Sequence, residues 1–320
     1  MRIGVFTALF QHLPFEAALD RAVAAGVAAV EIGTGGYPGR HHCPVDELLD
    51  SADRRRAYLR AITSRGLILS ALSCHHEPLH PNREIAQESD EVFRQSVRLA
   101  EMLEVPVVNV LSGCPGGSPV DTTPNWVTCP WPPHFSETIR YQWEEVAIPY
   151  WRRAAQFAQE HHVKIGVEMH PGMLVYNVAT LLRLREACGP TLGCNFDPSH
   201  LFWNGADPVA AIRKLGDAIC HVHGKDCIVD QANVAVNGCN DHQPYTRIAE
   251  RAWSFRTIGY GHDAKTWRDI ASALRLVGYD YVISIEHEDG LMSVDEGLAK
   301  AVALLKQVTI LEPAGEMYWA

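Results

Sequence analysis

The chain has 320 residues, 47% hydrophobic and 21% charged, with 38 acidic against 28 basic side chains and a net charge of −10 at pH 7. That composition excludes disordered, collagen-like and low-complexity classes, and the acidic balance argues against nucleic acid or an anionic membrane as the main partner. No apolar run approaches the ~18 residues of a membrane span, the opening segment MRIGVFTALFQHLPFEAALD lacks the marks of a signal peptide, and nine scattered cysteines without a C-x-x-C pair suit reduced thiols, so a cytoplasmic enzyme is expected.

From the N-terminus, short apolar runs alternate with amphipathic stretches. A strand at 3–6 is followed by a helix over 14–25, opened by Pro14 and closed by Gly26 as a left-handed cap. Strands follow at 28–32, 67–72 and 107–111, then a long helix over 136–162 with Trp143, Ala147, Tyr150, Trp151, Ala154, Ala155 and Ala158 at helical spacing. Strands at 164–168 and 192–196 precede a helix that Asp207 and Pro208 begin and Gly216 closes. The strand at 219–222, a helix over 265–277 ended by Gly278, the strand at 281–285 and a helix over 294–308 complete the chain. Each strand is rich in Val, Ile and Leu, as strands buried on both faces are.

Alternating strands and helices imply a parallel sheet with right-handed crossovers. Eight such units favour an α/β fold of the closed (β/α)8 TIM barrel type over an open sheet, and no G-x-G-x-x-G follows an early strand. The expectation is one barrel domain over 1–320, decorated by long βα loops at 113–135, which is proline-rich, and at 226–260. Loops of that length are usually functional, and both would lie on the carboxyl face where barrel enzymes work.

Four successive late strands end in polar residues: Glu168 in IGVEMH, Asp197 in CNFDPSH, His223 in CHVHGKD and Glu286 in ISIEHED. Parallel strands of a barrel share one mouth, so these side chains can meet. Three carboxylates and one imidazole suit one divalent metal ion, Mn²⁺ first and then Co²⁺ or Mg²⁺, and a cation would relieve the repulsion among the carboxylates. His200, one turn beyond Asp197, either reaches the substrate side of that metal or bonds to the backbone at its helix start. His221, one layer deeper than His223, suits a supporting or core role.

Together these residues resemble the sugar phosphate isomerase/epimerase family of xylose isomerase-like TIM barrels, whose relatives include ketose 3-epimerases and 3-keto-glycoside or C-glycoside deglycosidases. The motifs that carry the resemblance are VEMHPGMLVYN, NFDPSHLFWNG, HVHGKD and GYDYVISIEHED, with SCHHEPLHP and PNWVTCPWPP earlier. The resemblance implies Glu168, Asp197, His223 and Glu286 as metal ligands, Glu168 and Glu286 as the acid–base pair, and His200 as a contact to substrate hydroxyls. The arginine that ketose 3-epimerases carry six residues after the metal histidine is Val229 here, and Arg256 is either its substitute or a surface charge. The acidic balance speaks against the endonuclease IV-type branch.

The implied activity is a metal-dependent sugar isomerase or epimerase that abstracts a proton beside a carbonyl through a metal-stabilised enediolate. Selectivity would come from His75, His76, His80, Asn109, Trp126, Trp131 and His134, the tryptophans either stacking on sugar or anchoring their loop; Thr7 and Glu31 are weaker candidates. The alternative is a lyase or deglycosidase that cleaves 3-keto glycosides by β-elimination, with His134, His170 or His200 as base and a small second subunit. A non-catalytic sugar-binding barrel is the third reading. The partner expected is a small unphosphorylated sugar or keto-sugar, and a homo-oligomer would use the proline-rich loop or the tail GEMYWA.

Overall fold

The computed structural model describes residues 1–313 and 315–319, so positions 314 and 320, the second in the tail, lie outside the described residues. Eight parallel strands close a barrel in the order β1-β10-β7-β6-β5-β4-β3-β2. They are β1 (Arg2–Phe6), β2 (Ala29–Gly33), β3 (Ile68–Ser73), β4 (Val107–Leu111), β5 (Lys164–Glu168), β6 (Leu192–Phe196), β7 (Ile219–Gly224) and β10 (Val282–Ile285), while β8 (Asp226–Val229) and β9 (Trp253–Arg256) pair apart from the barrel. The ring closes where β1 meets β10, with Ile3 opposite Ile283 and Val5 opposite Ile285. Each barrel strand lies within a residue or two of its predicted place.

Alternate residues along the strands face opposite sides. The outward set, including Val30, Ile32, Val108, Val110, Phe196, Val222, Ile283 and Ile285, joins the main core with Leu19, Ile62, Val97, Trp151, Leu181 and Trp267 from the surrounding helices. The inward set is polar: Glu31, Ser73, Asn109, Asn195, His221, His223 and Ser284 are fully buried. Barrels of this kind are usually filled by Val, Ile and Leu, so the polar interior sets this one apart. Gly166 makes room for it, since a Cβ there would lie 2.4 Å from Asn109 Oδ1.

Capping accounts for the helix limits. Gly26 has φ +78° and closes Phe15–Ala25, while Asp207 accepts from the Ala210 amide to open Pro208–Leu215. The long predicted helix over 136–162 departs from regularity: it runs from His134 to Glu160 but passes through a π-helical stretch at Tyr141–Ala147. Pro149 supplies no amide hydrogen and its ring crowds the carbonyl of Glu145, which widens the preceding turns.

The long connection at 226–260 is not an open loop, as the sequence suggested, but carries structure of its own. β8 and β9 form an antiparallel pair with Asp226 opposite Arg256, and a short helix (Gln231–Asn237) lies between them. Asp226 fixes this unit to the barrel. Its buried carboxylate accepts from the amides of Cys227, Gly259, Gly261 and His262, from Trp267 Nε1, and bonds to His262 Nδ1. All nine cysteines are unpaired. Among the described residues no helix is long and apolar enough to cross a membrane.

Candidate active site

Two tiers of polar side chains stand on the carboxyl half of the barrel. In the lower tier Glu31 Oε1 receives Ser73 Oγ at 2.5 Å, Asn109 Nδ2 at 3.0 Å and His223 Nε2 at 3.0 Å. Burial opposes the charge of Glu31, but the histidines 223 and 221 outweigh it and hold the carboxyl far below the usual range. His221 Nδ1 lies 3.1 Å from both Asn109 Nδ2 and Asn195 Oδ1. Burial pushes this imidazole down to about 4, so it is neutral at neutral pH.

The upper tier gathers the four strand-end residues around His223. Its Nδ1 lies 3.2 Å from Glu168 Oε2 and 3.4 Å from Glu286 Oε2. Burial alone would lower the basicity of His223; Glu286, Glu31 and Glu168 reverse that and keep it charged. Glu168 bonds to Asn195 Nδ2 at 3.1 Å and His200 Nε2 at 3.1 Å, and His75 Nε2 stands 3.5 Å away without a hydrogen bond to it. Burial works against its charge, yet His223 and His200 hold it well below the usual carboxylate range. Asp197 accepts from the Ser199 amide through Oδ1.

Sequence reasoning missed Lys225. Its ammonium is buried among carboxylates, 2.7 Å from Glu286 Oε2, 3.1 Å from Asp197 Oδ2 and 3.3 Å from Glu288 Oε2, with the Phe255 ring 4.7 Å away on another side. Desolvation opposes the charge, but Asp197 and Glu286 raise its basicity well above that of a free lysine. The repulsion expected among three carboxylates is therefore met by the chain's own cations, Lys225 and His223. The signal lay in plain view in HVHGKD, two residues past the histidine; Glu31, thought a weak candidate, proves to be the partner that orients that histidine.

The donor set also fits a metal ion. Glu168, Asp197 and His223 each offer a ligand atom, all within 4.8 Å of one another, and Glu286 stands beside them. Asp197 Oδ2 is buried without an aligned hydrogen bond, its contact to Lys225 being one of charge alone, so a lone pair is left facing the cluster. Carboxylate oxygens and one imidazole nitrogen suit a divalent cation.

The remaining predicted residues divide. His200 touches both Glu168 and Asp197, at 3.1 and 3.3 Å, rather than the backbone, and His75 touches Glu168. Asn109 belongs to the lower tier, bonded to Glu31. His170 packs on His200 with ring centroids 4.5 Å apart, and burial lowers it to about 3. Arg256 bonds to Asp289 at 3.1 Å and so is not a free surface charge. Trp126 packs edge-on against Tyr176, and Trp131 and His134 are exposed. His76 bonds to Ser89 and His80 to the Asn82 amide.

One cavity opens on this centre and another lies beside His170. The first, of about 280 Å³, is walled by Phe6, Leu9, Tyr37, His75, Glu286 and Glu288. The other, of about 600 Å³, reaches His170 and is bounded by the long connections after β4 and β7.

Fold and centre define a (β/α)8 barrel with buried carboxylates and histidines gathered at the carboxyl ends of its strands. The signature of the xylose isomerase-like TIM barrel matches residues 19–308, and the chain belongs to that family. It is 41% identical over 310 residues to the uncharacterized protein YfiH of Bacillus subtilis (strain 168), covering 96% of this chain and 99% of that one. It is 27% identical over 157 residues to an inosose dehydratase of Lacticaseibacillus casei, 49% of each chain. Among solved structures, the probable 3-DHS dehydratase AsbF of Bacillus anthracis is similar with a TM-score of 0.66 at 17% identity, covering 96% of this chain and 99% of that one. A D-tagatose 3-epimerase-like protein has a TM-score of 0.63 at 20% identity, covering 96% and 97%. At such identities the likeness is one of fold.

Proposed function

We propose that this protein abstracts a proton from the carbon beside a carbonyl of a sugar or keto-polyol and returns it to give an isomer or epimer. The observation that carries this reading is the placement of Glu168 and Glu286 on either side of His223 Nδ1, at 3.2 and 3.4 Å, with both carboxyls held ionised by the cations around them. An ionised carboxylate beside the cavity wall is the base such a step needs. The substrate would occupy the cavity walled by Glu286 and His75. One carboxylate takes the proton, the C–H electron pair shifts toward the carbonyl oxygen, and the proton returns from that same carboxyl, or from the other once the first has released its proton to solvent and the second has taken one up. His200, bonded to Glu168, orients that carboxylate, and His75 Nε2, buried without a hydrogen-bond partner 3.5 Å from it, is free to serve a substrate hydroxyl.

Glu168, Asp197, His223 and Glu286 would hold a divalent cation, Mn²⁺ being the best match and Co²⁺ or Mg²⁺ next, which supplies polarisation of the carbonyl and counter-charge for developing negative charge. Lys225 Nζ, bonded to Glu286 Oε2, tempers that carboxylate's basicity and fixes its direction.

A second outcome of the same first step is dehydration, in which the electron pair expels a hydroxyl on the next carbon instead of being reprotonated. Lys225 favours it, because a buried ammonium beside Glu286 would offset the negative charge that develops on the departing hydroxyl. The likeness to inosose dehydratases over half the chain agrees.

The test is incubation of the Mn²⁺-supplemented protein with ketoses and keto-inositols in D₂O. Deuterium in an intact sugar supports isomerisation or epimerisation, and an unsaturated product assigns dehydration. Glu168→Gln or Glu286→Gln should abolish both, and near-normal exchange by either variant removes the acid–base assignment.

A further inference from the structure

The lower tier of the barrel has no part in that chemistry, and its polar atoms are not all accounted for. Glu31 Oε1 is saturated, accepting from Ser73, Asn109 and His223. Its second oxygen, Oε2, meets no hydrogen-bond donor among the described residues, although the side chain is wholly buried. His221 stands across from it, also wholly buried, with Nε2 3.9 Å from Oε2 and likewise without a bond. The Ser284 hydroxyl, which adjoins the same carboxyl, is a third unpartnered atom. Buried polar atoms are nearly always paired, so three together in a barrel core call for a cause.

The surrounding bonds settle which hydrogens are present. Asn195 Nδ2 donates to Glu168 Oε2, so its Oδ1 is the atom turned to His221 Nδ1, 3.1 Å away. A carbonyl oxygen only accepts, and Nδ1 therefore carries the imidazole hydrogen. That leaves Nε2 with a lone pair, 3.9 Å from a carboxylate oxygen. Two electron-rich atoms that close repel in a dry interior unless positive charge lies between them. Ligand bonds of about 2.0–2.2 Å to nitrogen and oxygen together span at most about 4.3 Å, so one small cation reaches both.

We propose that Glu31 Oε2 and His221 Nε2, with the Ser284 hydroxyl beside them, form a second divalent-cation site beneath the reaction centre. Few donors favour a four-coordinate ion, which makes Zn²⁺ the best match. Glu31 lies on β2, His221 on β7 and Ser284 on β10, so the ion ties together strands on both sides of β1, where the ring closes. His223 lies between the two sites, with Nε2 on Glu31 Oε1 and Nδ1 facing Glu168. This site does not rest on the reaction proposed above, because a cation there uses neither Glu168 nor Glu286.

The experiment strips the full-length protein with dipicolinate, reloads it with Zn²⁺, and reads bound metal by elemental analysis after gel filtration. About two equivalents per chain are expected. His221→Asn, which keeps a donor to Asn195 and removes Nε2, should lower this to about one, as should Asp197→Asn, and the double variant should hold none. Crystals of the unaltered protein, measured at the zinc edge, should show an anomalous peak between Glu31 and His221 whether or not the variants fold. A single equivalent that His221→Asn retains, or no anomalous peak at that point, overturns the site and leaves a buried water as the bridge. A peak there with none at Asp197 would instead overturn the metal at the reaction centre and leave this site standing.

Discussion

Lys225 gives the sharpest test of how the centre is held together. Replacing it with Met keeps the length of the side chain and its contact with Phe255 but removes the charge from between Asp197, Glu286 and Glu288. Removing one partner of a buried ion pair typically costs about 3–5 kcal/mol, because the other charge is left uncompensated. An unfolding entropy of about 2.1 cal/mol/K per residue converts that to a fall of about 4–7 °C in Tm for a chain of this length. Thermal unfolding followed by circular dichroism in a chelating buffer measures it. A second substitution, Glu286→Gln, should give back part of the loss, since it removes the carboxylate 2.7 Å from the missing ammonium. A fall of less than about 1.5 °C, or strictly additive effects of the two substitutions, would refute the view that Lys225 balances the cluster.

Other outcomes follow from neighbouring features. Glu31→Gln weakens the acceptor that orients His223, and calorimetry should show Mn²⁺ affinity falling about 10–100-fold; unchanged affinity would separate the two tiers. Gly166→Ala sets a Cβ 2.4 Å from Asn109 Oδ1 and should lower unfolding stability by about 1–3 kcal/mol, part of which Asn109→Ala recovers in urea unfolding. Trp151→Ala empties a fully buried site and breaks the bond to the Ser112 carbonyl, with an expected loss of about 3–5 kcal/mol in the same assay. Burial lowers the pKa of His42 below its free value of 6.5. The unfolded chain therefore takes up that proton first, and stability present above about pH 6.5 is lost as the pH falls through it. His42→Asn should show a smaller drop in urea midpoint between pH 7.5 and 5.5 than the parent, and equal drops would refute the assignment.

The barrel was legible because buried parallel strands announce themselves as short apolar runs, and because the ends of such strands must share a mouth. That geometry alone brought Glu168, Asp197, His223 and Glu286 together on paper. The inner tier was not legible. Glu31 and His223 are 192 positions apart, and only closure of the ring makes them partners. Lys225 escaped for a different reason: lysines are almost never fully buried, and this one is buried only because three carboxylates from other strands and loops surround it. The partner of Arg256 was hidden for the converse reason, its acceptor Asp289 lying on a separate connection. The β8–β9 pair was hidden by Gly, Asn and Pro residues between its strands, and the π-helical turns by a proline whose effect falls on the residues before it.

Residues 225 and 226 sit side by side on one short stretch after β7 and face opposite tasks. The first places a positive charge among the carboxylates, and the second anchors the inserted strand pair through six bonds. Any drift of the insertion is thereby transmitted along one peptide link to the ammonium beside Glu286. For a protein engineer the stretch from β7 to β9 is consequently a single exchangeable cassette. Recombining the insertion of one relative with the strand of another should yield inactive chimaeras unless the Lys–Asp pair travels with it, and lineages that reshape this wall are expected to do so between positions 230 and 252, leaving the hinge pair fixed.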